Sequence, residues 1–445
     1  MEVTSKINSI NLGEKKLKRV LINDLVYEKE CKIAGFVDRI RDSKNMIFVI
    51  LKDISGSVQV TIDKKSNEKV AKQISTVIAQ SVVSFIGKCV ASEYVKFGGR
   101  EFIPSTVKVE SVAEALPIMD DASIDQKLNY RWLDLRSERN TIILKTQSVF
   151  VETIRAFLLK EKFLEIHSPK LIATASESGS DVFEVKYFDG KAYLAQSPQF
   201  YKQMAMASGL EKIFECGPVF RAEQSFTNRH ATEFTSFDIE FSYIESYEEV
   251  MSMQEDMLIA GITAVKERLG EDIKRVLDVD VVIPTKPFPK IKLFDLYSEL
   301  EKMYGYKVDD SEKGDTTTEC EKLCKTYSIE KYGHEFLFIT DFAKEKRAFY
   351  HMRKDGVPQG YDLIWKGVEI TTGAMREHRY DFLKKQAKEK GLDKDVEFYL
   401  EFFKYGCPPH GGFGMGVDRV MMVLLNIFSV KEIMYIFRGP NRLAP

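Results

Sequence analysis

Residues 220–241 read FRAEQSFTNRHATEFTSFDIEF. Two apolar stretches, 212–221 and 234–243, flank a polar loop from Gln224 to Ala231. Consecutive strands joined by so short a loop pair as an antiparallel hairpin, which points the larger part of the chain toward a mainly antiparallel sheet. Arg221, Arg229 and His230 put cationic donors at one strand end and in the loop. Guanidinium groups bind phosphate oxygens two bonds at a time, so the loop suits a bent triphosphate. A solvated, charged hairpin tip has the same composition.

Three further segments carry polar residues in patterns that suit chemistry. Residues 410–424, HGGFGMGVDRVMMVL, set four glycines before an amphipathic helix with Arg419 on an otherwise apolar face. Glycines let a backbone approach a ligand closely. A buried arginine needs a partner, so Arg419 meets either a ligand anion or an internal acid. Residues 361–379, YDLIWKGVEITTGAMREHR, hold Asp362 and Glu369 seven positions apart. On one strand they would face opposite ways, but a turn at Lys366-Gly367 would bring them together as a hairpin. Paired carboxylates beside phosphates suit Mg²⁺, and Arg376 could bind a carboxylate substrate; plain surface charge is the alternative. Residues 195–203, AQSPQFYKQ, follow the polar loop 174–181, TASESGSD. Gln199 and Lys202, three apart at a helix start, face one pocket, unless Lys202 is a solvated surface lysine.

The first 110 residues read as short strands at 30–40, 46–53, 56–63 and 81–91, separated by turn signals such as Asp42-Ser43 and Ser55-Gly56. Residues 67–79 have helical spacing of Val70, Ile74, Val77 and Ile78, and Gly98-Gly99 marks a late hairpin. Five strands with one helix predict a small closed barrel of OB type. Residues 111–137 read as a hinge or connector, with Pro117 and the cluster Tyr130-Arg131-Trp132-Leu133-Asp134. A helix over 138–162 opens the second domain, 138–445, where helices alternate with strands at 212–221, 234–243 and 360–371. The fold class is α+β.

At 445 residues, two or three domains are expected. Apolar residues make up 44% and charged residues 30%, with a net charge of −2. That balance excludes a chain coated in positive charge, though local patches can still bind nucleic acid. No apolar run is long enough to span a membrane, and residues 1–9 lack the apolar core of a signal peptide. Six cysteines are scattered. Cys320 and Cys324 share one face of a helix from Thr317, but no second ligand pair accompanies them, so a structural zinc is not expected and a reducing cytosol fits.

In this order, the segments resemble class II aminoacyl-tRNA synthetases. KFLEIHSPKL (162–171), with Pro169, is similar to that family's motif 1, which lies at its dimer interface; FRAE followed by RHATEF is similar to motif 2, and GMGVDR to motif 3. The barrel before the catalytic domain places the resemblance in the aspartyl, asparaginyl and lysyl subgroup, class IIb. It is nearest to archaeal-type aspartyl-tRNA synthetases, which lack the large bacterial insertion, and it covers nearly the whole chain.

The resemblance implies an OB-fold anticodon-binding domain (1–110) and a catalytic domain whose antiparallel sheet is flanked by helices. It implies ATP, aspartate and tRNA as substrates and partners, Mg²⁺, a cytoplasmic location and a homodimer through the segment around Pro169. Arg221 would hold the ATP α-phosphate, Glu223 the adenine or the acceptor end, and Arg229, His230 and Arg419 the phosphate tail, with Arg221 and Arg419 catalytic. Phe234 would stack on adenine; Ala222, Ala231, Glu369, Gly416, Val417 and Asp418 complete the ATP site. Asp362 and Glu369 would hold Mg²⁺. Lys202 and Arg376 would pair with the substrate β-carboxylate, where an amide offers no charge to offset two buried cations. Glu177, Gln199, Phe200, Tyr201 and Thr372 match the other aspartate positions. Phe48, Gln59 and Arg41 match anticodon contacts, with a base stacked on Phe48; a core position in the barrel is the alternative for that ring.

The chain departs from the family at its end, where the usual FPRD reads IFRGPNRLAP with Arg438 kept. Phe36 replaces a common Trp, and Asp38 stands where related enzymes use Trp or His to choose between tRNA(Asp) and tRNA(Asn), so charging of tRNA(Asn) stays open. The competing expectations are an asparaginyl enzyme, an asparagine-forming paralogue without tRNA, and a non-catalytic RNA-binding scaffold. The barrel argues against the second, and Arg221, Glu369 and Arg419 against the third.

Overall fold

Strand MIFVILK alternates buried Ile47, Val49 and Leu51 with half-exposed Met46, Phe48 and Ile50. That period of two, which a strand with one buried face requires, organises the first of two compact units, Met1–Asp121 and Ala122–Pro445. The computed structural model describes residues 17–95, 98–173 and 182–445. Residues 1–9 and Glu177, with its loop 174–181, therefore lie outside the described residues.

In the first unit β1 (Glu30–Asp42), β2 (Met46–Lys52), β3 (Ser57–Asp63), β4 (Val82–Ala91) and β5 (Arg100–Ser111) close into a barrel in the order β1-β2-β3-β5-β4. Val49, Val60, Phe85 and Phe102 fill it. The helix expected over 67–79 is shorter, Glu68–Ile74 (α1). The next residues, Ser75-Thr76-Val77-Ile78, are poor helix formers, and the Ser75 hydroxyl donates back to Lys72 O at 2.8 Å.

The second unit is built on an eight-stranded sheet. Its strands, in chain order, are β6 (Leu164–Glu165), β7 (Lys212–Phe220), β8 (Glu233–Ser242), β9 (Lys290–Lys292), β10 (Phe336–Thr340), β11 (Gly360–Trp365), β12 (Val368–Met375) and β13 (His410–Gly416). They lie in the order β9-β10-β11-β12-β13-β8-β7-β6, parallel only at the two edge pairs. The long helices α2 (Glu138–Lys160) and α4 (Tyr247–Leu277) cover one face, with Phe150, Ile154, Leu258 and Ile262 in the same apolar cluster as Phe237 and Phe413. Gly261 allows their close approach, since a Cβ there would lie 2.6 Å from the Phe150 ring. The short helix α3 (Gln199–Ala207), helix α5 (Thr318–Tyr332) and helix α6 (Val417–Leu424) frame the other features described below.

One expectation is met and two change. The turn expected at Lys366-Gly367 is present, joining β11 and β12 as a hairpin, and both turn residues have positive φ. The glycines of 410–416 form a strand, β13, and not a turn before the helix. Of the segment 111–137, the part from Ala122 packs within the second unit. Buried Arg131 pairs there with Asp134 and donates to the carbonyls of Met434 and Tyr435. Cys320 and Cys324 are buried with Leu296, Leu300 and Leu337. No helix among the described residues is long and apolar enough to cross a membrane.

Candidate active site

Strand β8 reads EFTSFDIEFS. Phe237, Ile239 and Phe241 face the apolar core; by strand alternation Ser236, Asp238 and Glu240 face the other side, and Asp238 and Glu240 are buried there. Lys202 on α3 and Arg376 after β12 come down onto these two acids. Lys202 Nζ lies 3.0 Å from Asp238 Oδ1 and 3.4 Å from Glu240 Oε2. Arg376 grips Glu240 with two bonds of 2.9 and 3.2 Å. Burial pushes the Glu240 carboxyl up, but Arg376 and Lys202 outweigh it and hold the group below its ordinary value. Lys202 is therefore no surface lysine; it is 1% exposed.

Strand β13 makes room for this network. Lys202 Nζ donates to Phe413 O at 3.3 Å and Arg376 Nη2 to Gly412 O at 2.9 Å. A Cβ on Gly412 would lie 2.0 Å from Ile239 O and 2.4 Å from Glu240 Oε2. Glycine is required here by the close approach of the neighbouring strand, its Ile239 carbonyl first and the Glu240 carboxylate next, rather than by a positive φ.

These residues close one end of a cavity of about 480 Å³. Of the expected positions, Gln199, Lys202, Arg221, Glu223, Arg229, His230, Ala231, Phe234, Glu369, Thr372, Arg376, Gly416, Asp418 and Arg419 line it. At the other end the Arg221 guanidinium sits 5.5 Å from the centre of the Phe234 ring. Arg419 is half-buried and donates to Glu369 O at 3.1 Å. Its electrostatic neighbours include His230, which burial and then the Arg419 charge hold below its ordinary pKa. A compact group of cations thus faces open volume.

Asp362 and Glu369 meet through a β-bulge. Leu363 pairs with Thr371 and Ile364 with Glu369, so Ile370 is the extra residue. Without that insertion Glu369 and Thr372, three apart on β12, would face opposite ways. With it, Thr372 Oγ1 lies 2.8 Å from Asp362 Oδ1 and 3.0 Å from Glu369 Oε1. Burial and the Glu369 charge raise the Asp362 pKa, against the pull of Arg347; burial also lifts Glu369, but Arg419 outweighs it and holds Glu369 low.

Some expected positions are placed elsewhere. Phe200 turns into an apolar cluster with Tyr399 and Leu400, because at its helix position it faces away from Lys202. Val417 is buried in the main core. Ala222, Tyr201 and Asp362 are not among the cavity-lining residues. Arg229 lines the cavity, yet its guanidinium pairs with Glu321 of α5 at 2.6 Å and reaches Thr318 Oγ1 at 3.2 Å. The two cations expected to wait for a substrate carboxylate, Lys202 and Arg376, are already offset by Asp238 and Glu240, so the four groups are neutral together.

Four participants were not foreseen. Asp238 and Glu240 had a legible signal: acids at alternate positions of a strand whose other residues are apolar must find cations. Arg347, which forms a bidentate pair with Asp362 (3.0 Å for the longer bond), and Glu321 had none.

In the barrel, Arg41, Phe48 and Gln59 come together on the outer face, where Arg41 pairs with Phe48 across β1 and β2, and Ile50 with Gln59 across β2 and β3. With Arg39, Tyr94 and Glu101 they line a hollow of about 490 Å³. Phe48 points outward and is not a core residue. Asp38 is the exposed extra residue of a bulge between Val37 and Arg39.

A family model described as tRNA synthetases class II (D, K and N) matches residues 123–437. The chain belongs to that family. A second model, OB-fold nucleic acid binding domain, matches residues 31–111 of this synthetase. The synthetase is 40% identical to the Aspartate--tRNA(Asp) ligase of Pyrococcus abyssi over 427 residues, 94% of this chain and 96% of that protein. It is 39% identical to the Aspartate--tRNA(Asp/Asn) ligase of Aeropyrum pernix, covering 96% of this chain and all of that one (100%). Among solved structures, asparaginyl-tRNA synthetase from Pyrococcus horikoshii with asparaginyl-adenylate superposes with a TM-score of 0.87 at 28% identity, covering 96% and 100% of the two chains. Aspartyl tRNA synthetase from Entamoeba histolytica gives 0.85 at 30% identity, covering 97% and 94%.

Asp418, at the cavity edge of this synthetase, is buried, and that burial raises its pKa to about 6. Because the folded value lies above the unfolded one, the folded state binds the proton more tightly, and the associated stability is lost as pH rises through 6. Asp418→Asn removes the cost of the buried charge. It should raise stability by about 3 kcal/mol at pH 8 and by almost nothing near pH 4. Urea unfolding followed by tryptophan fluorescence reads this directly, since both tryptophans, Trp132 and Trp365, belong to the larger unit.

Proposed function

We propose that this synthetase activates aspartate with ATP and transfers it to the 3′ end of tRNA(Asp) through an aspartyl-adenylate. The observation that carries the choice of amino acid is the pair of cations, Lys202 and Arg376, lining one end of the cavity beside the single acid Asp238. Arg376 uses Nε and Nη2 on Glu240 and Gly412, which leaves Nη1 as the remaining end of its fork. Lysine and arginine have no acceptor atoms. A β-carboxylate, which only accepts, suits the Nη1 end of Arg376, whereas a carboxamide can turn its own N–H groups against it. The charge argument from two lone cations is thus replaced by one from hydrogen-bond polarity, and the names of the Pyrococcus abyssi and Aeropyrum pernix relatives support the same choice.

Arg221 and Arg419 bind the phosphates and Phe234 the adenine ring. The aspartate α-carboxylate oxygen attacks the α-phosphorus, the bond from that phosphorus to the β-phosphate oxygen breaks, and pyrophosphate leaves. The chain's part is positioning and stabilisation of charge that develops on the phosphoryl oxygens. A ribose hydroxyl of the tRNA end then displaces AMP. Glu369 and the Thr372 hydroxyl, which both line the cavity, fit a magnesium ion, while the expected partner Asp362 has both oxygens on Arg347 and is not among the lining residues. Glu369 and Thr372 would hold it, and when bound it would offset the charge of the phosphates.

The barrel receives the anticodon, with a base stacked on Phe48 and backbone phosphates near Arg41. The synthetase works as a homodimer through the segment around Pro169, where Leu164 and Leu171 are half exposed. Six free thiols suit a reducing cytoplasm.

Arg221→Ala should abolish aspartate-dependent exchange of pyrophosphate into ATP; near-parental exchange in that variant sinks the assignment, and exchange driven by asparagine instead of aspartate decides for the asparaginyl enzyme. Aminoacylation of purified tRNA(Asp) and tRNA(Asn) reads the tRNA range. Phe48→Ala should raise the KM for tRNA about 5- to 100-fold, the effect of one lost base stack, while exchange stays as in the parent. Sedimentation of the full chain at twice the monomer mass checks the dimer, and a monomer at micromolar concentration rejects it.

A further inference from the structure

Behind the amino-acid end of the cavity lies a chain of buried polar groups that no step above uses. Gln199 and Gln203 stand one turn apart on α3. Gln199 Nε2 donates to Gln203 Oε1 at 2.8 Å, and Tyr399 OH donates to the same oxygen at 2.9 Å. Gln203 Nε2 lies 3.0 Å from His410 Nε2, and His410 Nδ1 lies 2.8 Å from Pro408 O. Gln203, Tyr399 and His410 are fully buried and Gln199 is 5% exposed.

The polarity of this chain is set from its far end. The Pro408 carbonyl can only accept, so His410 Nδ1 carries a proton. Burial drives the His410 pKa down to about 4, so the ring is neutral and Nε2 is an acceptor. Gln203 must then present its NH₂ to His410 and its oxygen to Tyr399 and Gln199. Gln199 in turn must give its NH₂ to Gln203. The end of the Gln199 amide that remains is its carbonyl oxygen, and Gln199 lines the cavity close to Lys202 and Arg376. Neither glutamine is free to turn over, because a reversed amide would set oxygen against oxygen or N–H against N–H at a buried contact.

We infer that His410 and Tyr399 are positioning residues that fix the Gln199 amide with its oxygen toward the cavity, where it accepts from the ammonium group of the amino-acid substrate. The inference rests on the amino-acid-activating function proposed above. It gives the cavity a division of labour. The Lys202–Arg376 end offers donors to a carboxylate, and Gln199 offers an acceptor to a cation. The acceptor is neutral, so it adds no charge to a site already balanced by Asp238 and Glu240.

The test is pyrophosphate exchange with His410→Phe, His410→Gln and Tyr399→Phe. Phenylalanine removes the acceptor and lets Gln203 turn over. Glutamine places an amide oxygen near the position of Nε2 and restores it. His410→Phe should raise the KM for aspartate about 10- to 100-fold, the scale of one hydrogen bond to a charged group, with the KM for ATP unchanged. His410→Gln should return the aspartate KM to within about threefold of the parent. Tyr399→Phe should raise it by a smaller factor, again without moving the ATP value. Equal aspartate KM values for the Phe and Gln variants at His410, or ATP and aspartate KM values that rise together, overturn the inference. If His410→Phe does not fold, Tyr399→Phe decides, and a parental aspartate KM there overturns it. A parent enzyme with no aspartate-driven exchange would instead refute the proposed function, which is a separate outcome.

Discussion

Four charges buried side by side, Lys202 and Arg376 against Asp238 and Glu240, constrain everything around them. Removing one partner from such a set leaves an unpaired charge away from water and typically costs about 3–5 kcal/mol. The set survives only if each member keeps its place. Asp238 and Glu240 keep theirs because the other side of β8 is locked into the core by Phe237, Ile239 and Phe241. Lys202 keeps its place on the short helix α3. Arg376 keeps its place by gripping a carboxylate and a strand carbonyl at once. Gly412 and Gly414 of β13 follow in part from the same constraint, since a Cβ would lie 2.4 Å from Glu240 Oε2 at the first and 3.1 Å from Asp238 Oδ1 at the second.

The end of the cavity lined by Arg221 and Arg419, proposed to bind phosphates, is built differently. There the cations are half-buried or exposed and face open volume, and the acids stand behind them. The bulge at Ile370 is the key local event, because it turns Glu369 to the side of Thr372 and Asp362. Arg347 then neutralises Asp362 and Arg419 lies near Glu369. Arg229 is held by Glu321 from a helix more than ninety residues away in sequence. One end of the cavity is thus satisfied internally and presents spare donors. The other holds cations whose fields converge on empty space, as a polyanion requires.

Much of this was legible in the sequence. Apolar runs separated by turn signals point to the barrel and the hairpin β7–β8, and the arginines of the loop and of helix α6 to a cationic end of the cavity. Lys202 and Arg376 were singled out by position. Other features were not legible. A helix-start pattern could not tell that Phe200 faces an apolar cluster while Gln199 and Lys202 face the cavity. Alternation along 361–371 could not reveal a one-residue bulge, because a bulge changes parity without changing composition.

The sequence by itself determined the elements, the two-part organisation and the family, since these depend on local periodicity and on the order of motifs along the chain. Tertiary structure alone decided the charge balance around Lys202 and Arg376, the partners of Arg229 and Asp362 and the polarity of the His410–Gln203–Gln199 chain. Each of these depends on which atoms meet across strands and helices far apart in sequence, and in a medium of low dielectric such meetings, rather than residue type, decide the energy of a charge or a hydrogen bond.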